Sequence, residues 1–104
     1  MEILDLFQKG RFDPSRMQME LIHDMYTFRI ILFTFEPGQE LPVHQHNADS
    51  EVSILVLEGK GEFIGGSEPV PAKEGSLLIC KVNEPHGLRA KTRMRALVTI
   101  APPI

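Results

Sequence analysis

The sequence predicts an all-β fold, either a sandwich or a barrel. Short apolar runs recur at roughly ten-residue spacing, as sandwiches and barrels show. Eight glycines and eight prolines fall between those runs rather than inside them. No stretch of about 12 residues carries a helical stripe. Length points the same way: 104 residues make a single domain, because two cores would each be too small to hold.

Ile3 to Gln8 is the one place for a short helical turn. The run Arg16 to Ile22 alternates apolar and polar residues, the period of a strand with one wet face. Tyr26 to Phe35 is dense in aromatic and β-branched residues and stops at Glu36-Pro37-Gly38, a turn signal. Val52 to Leu57 ends at Glu58-Gly59, and Glu62 to Ile64 ends at Gly65-Gly66. Leu77 to Val82 is opened by Gly75 and closed by Asn83-Glu84-Pro85, and Ala96 to Ile100 runs into Pro102-Pro103. Arg89, Lys91, Arg93 and Arg95 alternate with uncharged residues and read as the wet face of one strand.

Composition narrows the function. Eleven basic against 14 acidic residues give a net charge of −3, which argues against nucleic acid or an anionic membrane surface as partner. The longest uncharged apolar run, Ile30 to Phe35, is far below the ~20 residues of a membrane helix. Met1 to Gly10 has acids and no apolar signal core, and the single cysteine, Cys80, excludes an internal disulfide. A reducing, cytoplasmic setting is the expectation.

The chemistry lies with the histidines, of which there are four. His44 and His46, two apart, share a face if the chain is extended, and Glu51 follows shortly. His86 comes 40 residues after His46, between Pro85 and Gly87. Neutral imidazoles suit zinc, iron, nickel or copper, and an added carboxylate favours a harder ion such as iron or manganese. His23 shares parity with Met17, Met19 and Leu21 and has no companion ligand nearby, so it reads as an ordinary core or surface histidine. Candidates to line an apolar pocket are Phe28, Ile30, Leu32, Val52, Ile54, Ile79 and Val98. Arg29 is expected at a rim, Glu40 in solvent, and Cys80 as a small buried hydrophobe.

Gly38 to Gly59, containing His44-Gln-His46 and Glu51, resembles the first cupin motif, G-x5-H-x-H-x3,4-E-x6-G. Gly75 to Ala90, containing Pro85-His86, resembles the second, G-x5-P-x-G-x2-H-x3-N. The 15 residues between Gly59 and Gly75 suit the shortest inter-motif loops of small single-domain cupins. The resemblance implies an RmlC-like jelly-roll β-barrel over residues 1–104, with the motifs at 38–59 and 75–90 and the segment of about residues 1–27 at a homodimer interface. It implies one divalent transition metal per chain, Fe, Mn, Zn, Ni or Cu, bound by His44, His46 and His86 with or without Glu51.

The sequence departs from the pattern at several positions. Seven residues separate Glu51 from Gly59 where the motif has six, so a strand anchored on Gly59 brings Val52 to the ligand position. Either a bulge turns Glu51 inward or the site is three histidines only. Lys81, Asn83 and Ala90 stand where the second motif has proline, glycine and asparagine, and none of the three is a ligand position. The implied function is a mononuclear metalloenzyme acting on a small organic molecule, as an oxygenase, isomerase or lyase. The alternative is a non-catalytic module that binds or senses a small ligand. No side chain identifies itself as a catalytic acid or base.

Overall fold

A computed structural model describes all 104 residues. Nine strands follow a short 3-10 turn, Leu6–Gln8: β1 (Gln18–Asp24), β2 (Arg29–Phe35), β3 (Glu40–His44), β4 (Glu51–Glu58), β5 (Lys60–Ile64), β6 (Val70–Lys73), β7 (Leu77–Lys81), β8 (His86–Ala90) and β9 (Met94–Ala101). They form a five-stranded sheet ordered β1-β2-β9-β4-β7 and a four-stranded sheet ordered β3-β8-β5-β6. All the pairings are antiparallel.

The expected jelly-roll barrel is not what forms, because the two sheets share no hydrogen-bonded strand pair and remain open at their edges. The four-stranded sheet ends in two strands that carry proline, Pro42 in β3 and Pro71 in β6. Proline has no backbone N–H to donate, which suits it to edges and makes a continued ladder costly there. On the other sheet, edge strand β1 is interrupted by a register shift between Leu21 and His23. The result is an open sandwich.

Alternation decides which side chains enter it. Directly opposed residues of an antiparallel pair share a face. Ile54 and Val98 are opposed, as are Val98 and Ile31, so the inner face of β2 carries Ile31, Phe33 and Phe35. Phe35, Met94, Ala96, Val56 and Leu88 are 0–1% exposed and fill one end of the sandwich. Burying each of the larger of these contributes about 1.5–3 kcal/mol. The register shift in β1 sets His23 opposite Ile30, a residue of the outer face, and its ring stacks on Phe28 at 4.7 Å. Its parity with Met19 therefore does not survive folding.

The segment before β1 covers part of the outer face of the five-stranded sheet. The Thr34 hydroxyl donates to the Arg11 carbonyl at 2.6 Å, and an Arg95 guanidinium nitrogen donates to that of Lys9 at 3.2 Å. Arg93 lies over the Phe12 ring at 4.1 Å and pairs with Glu36 through two hydrogen bonds of 2.8 and 3.2 Å. The run of basic residues is divided by the chain rather than forming one strand face: Arg89 is in β8, Lys91 to Arg93 make the connecting bend, and Arg95 is in β9, paired with Glu58.

The apolar runs of the sequence do not mark β3, β6 or β8. Each is four or five residues long, and β3 and β6 hold prolines that weaken the strand signal.

Gly59 turns between β4 and β5 at φ +88°, and a Cβ there would stand 2.1 Å from the Arg93 carbonyl oxygen. Gly59→Ala is expected to destabilise the fold by at least about 2 kcal/mol, read as a lower denaturation midpoint. Hydrogen bonding from Arg93 holds the Glu36 carboxyl below its ordinary 4.5. The pair's stabilisation is thus present above the unfolded carboxyl's pKa and lost as pH falls through the lowered value. NMR titration of Glu36 should give a midpoint below 4.5 that returns toward it in Arg93→Ala.

Candidate metal centre

β3 and β8 pair so that His44, the last residue of β3, lies directly across from His86, the first of β8. The register between these strands shifts between Leu41 and His44, which sets the two histidines opposite each other. His46 lies beyond the end of β3, where its backbone N–H donates to the Val82 carbonyl at 2.8 Å. The sequence expectation of an extended His-x-His pair on one strand face is met differently, by a strand end and the loop after it.

The three rings are contiguous. The centroids of His44 and His86 are 4.3 Å apart, and those of His44 and His46 are 5.3 Å apart with the rings nearly perpendicular. The Nδ1 of His86 donates to the Glu84 carbonyl at 2.7 Å, and the Nδ1 of His44 donates to the Pro42 carbonyl at 2.8 Å. A carbonyl oxygen only accepts, so both Nδ1 atoms carry the proton. The Nε2 atoms are therefore lone-pair donors whenever the rings are neutral. A hydrogen bond from the second ring nitrogen to a carbonyl is how a metal-binding histidine is oriented.

His86 is 3% exposed. Burial lowers its pKa below the usual 6.5, against the hydrogen bond to the Glu84 backbone, and the neighbouring His44 and His46 lower it further. A neutral ring with its lone pair free is the form a metal takes.

The His44–His46 separation matches what a shared ion requires, and the His44–His86 separation is slightly tighter. Three imidazoles bound to one ion at about 2.1 Å hold their centroids roughly 4.6–5.3 Å apart. As the side chains stand, no group of three or more His, Cys, Asp or Glu is placed to hold an ion. His46 is the exposed member, and its ring makes no hydrogen bond to fix it.

Glu51 does not join the rings. It opens β4 as an exposed residue, while Val52, Ile54 and Val56 alternate inward and are buried. There is no bulge at Glu51: its pairing with Lys81 is in register with that of Val52 and Cys80. Of the two arrangements the sequence left open, the structure has the one with Glu51 outside.

The rings face a cavity of about 310 Å³ between the sheets, at the end opposite the filled core. Among the pocket candidates, Val52, Ile54 and Val98 line it, and Phe28, Ile30, Leu32 and Ile79 do not. In β2 the odd-numbered residues point inward, not the even-numbered Ile30 and Leu32. Leu32 is buried on the outer face, where its side chain lies against Gly10 of the segment before β1. Ile79 is 65% exposed on the outside of β7. The true lining adds Ile31 and Phe33, which the inward parity of Val98 and Ile54 would have identified had the pairing been known.

Arg29 holds a rim position, paired with Asp24 at 3.0 Å. Tyr26 is 83% exposed in the β1–β2 turn. Glu40 is exposed on β3 opposite Arg89. Cys80 is half-buried against the core, and burial raises its thiol pKa, with Glu84 adding to the effect. No helix is long and apolar enough to cross a membrane.

Comparison with known proteins agrees with this architecture. A crystal structure of an RmlC-like cupin protein from Desulfovibrio desulfuricans is 51% identical and superposes with a TM-score of 0.95, covering 100% of this chain and 99% of that one. Auxin-binding protein 5 of Zea mays is 33% identical over 75 residues, 64% of this chain and 49% of its own. L-ectoine synthase of Vibrio campbellii is 35% identical over 74 residues, 71% of this chain and 57% of its own. The chain thus spans about half the length of these curated relatives. Residues 31–100 match the family model described as a cupin domain. The chain belongs to the cupin family.

Proposed function

We propose that this cupin binds one divalent transition metal through His44, His46 and His86 and acts on a small organic molecule as a mononuclear metalloenzyme. The observation that carries the reading is the pair of Nδ1 hydrogen bonds, from His44 to Pro42 and from His86 to Glu84, which leave both Nε2 atoms as donors. His46 completes the set by rotation of an exposed ring that no hydrogen bond restrains. A bound ion of this kind would supply Lewis acidity or redox chemistry, with its remaining positions open to ligand.

The chain's own contribution is shape and environment. The cavity walls exclude water on the side of the ligand's body, and backbone carbonyls hold two of the rings in one tautomer. A second reading, a binding or sensing module without catalysis, is favoured by one feature. No carboxylate, tyrosine or lysine lines the cavity to act as acid or base.

Partners and setting follow the same reasoning. A homodimer through the segment of residues 1–27 and the outer face of the five-stranded sheet would cover Phe7, which is 50% exposed there. The net charge of −3 suits a small-molecule partner better than nucleic acid, and the one free cysteine suits the cytoplasm.

Elemental mass spectrometry of the untagged protein should find close to one transition metal per chain, with most of it lost in His46→Ala. Full occupancy in that variant, or none in the parent after metal is added back, would overturn the site. Glu51→Gln should leave metal affinity unchanged, because that carboxylate faces outward. A tenfold loss in a competition assay with a chelator would place Glu51 in the coordination shell instead.

A further inference from the structure

The cavity is polar only where the histidines stand. Its other walls are aliphatic or aromatic, with Ile31 and Phe33 from β2, Ile54 from β4 and Val98 from β9 among them. No Lys, Arg, Asp, Glu, Ser, Thr, Asn or Gln lines it. A charged or strongly polar group on the body of a ligand would be buried there without a partner, which strongly disfavours its binding.

One part of the wall comes from outside the sheets. Ile104, in the segment after β9, lines the cavity and is 47% exposed, beside Met19 at 62%. That segment is fastened. Arg29 donates from Nη1 to the Ile104 carbonyl oxygen at 3.2 Å and from Nε to Asp24 at 3.0 Å. One guanidinium thus ties the segment to the β1–β2 hairpin and holds the Ile104 side chain against the space between the sheets.

We propose that the cavity receives a small, largely apolar molecule with its one polar group at the histidines, and that Ile104, clasped by Arg29, sets the size of the apolar body. A cavity of about 150 Å³ with aliphatic and aromatic walls holds benzene. At about 310 Å³ this one accommodates a ligand of about twice that bulk, or roughly ten to twelve non-hydrogen atoms. The polar pole of this ligand rests on the proposed role of the three histidines. The limit on its apolar body rests on the walls alone.

The test is calorimetric titration of the full chain, stripped of metal by chelation and again loaded with zinc. The probes are ω-phenylalkan-1-ols, from benzyl alcohol to 6-phenylhexan-1-ol. Affinity should rise about fourfold for each methylene that the cavity buries, then fall once the chain is too long. Ile104→Ala should move the optimum to longer alcohols and Ile104→Trp to shorter ones, and Arg29→Gln should behave as Ile104→Ala does. Ile104 is half exposed, so both of its variants are expected to fold.

Failure of every alcohol to bind in either metal state would overturn the proposal. So would an unchanged length optimum in both Ile104 variants, which would mean binding elsewhere on the surface. If no zinc binds while the length profile persists, the metal centre falls and the apolar ligand stands. Zinc binding with no alcohol recognised would do the reverse.

Discussion

The space between the two sheets is packed solid at one end and hollow at the other, and the rest of the molecule is arranged around that asymmetry. Where Phe35 opposes Met94, side chains from both sheets fill the space and are sealed from solvent. Toward the far end of β9 the same inward stripe continues through Val98 and Ile100, but it faces a cavity instead of a matching layer. The filled end supplies the apolar burial that holds the sheets together. It thereby offsets the cost of leaving the other end hollow, where contacts across the gap are forgone. The histidines are at the hollow end, and His86 is almost wholly buried there while keeping its Nδ1 bonded to a carbonyl.

Much of this was legible in the residues. The turn signals at Pro37-Gly38, Gly59, Gly65-Gly66 and Gly75 fall between strands as expected, because glycine and proline mark positions that regular strands reject. Residue type and spacing single out His44, His46 and His86 as candidate ligands, and the pairing of β3 with β8 sets His44 across from His86. The alternation of Val52, Ile54 and Val56 leaned toward an outward Glu51 without deciding it, because a bulge could still turn the carboxylate inward.

What could not be read depended on contacts between distant segments. The parity of β2 is invisible locally, since Ile30, Ile31, Leu32 and Phe33 are all apolar, and both of its faces are covered. Only pairing with β9 and the cover from the segment before β1 separate cavity wall from outer face. Closure of the sheets is invisible to the motifs for a related reason. Motifs specify which strands exist, whereas the edges are decided by prolines in β3 and β6 and by the register shift in β1.

The donors stand on one sheet and most of the apolar wall on the other, with Leu41 of β3 the wall residue on the donor side. His44 and His86 stand on two neighbouring strands of the four-stranded sheet, with His46 in the loop next to them. The aliphatic and aromatic walls from β2, β4 and β9 belong to the five-stranded one. Substitutions among Ile31, Phe33, Ile54 and Val98 can therefore reshape the cavity while the imidazoles keep their carbonyl tethers. The layout is modular in the evolutionary sense: drift in one sheet can remodel the hollow of such a chain while the histidine cluster on the other sheet is left intact.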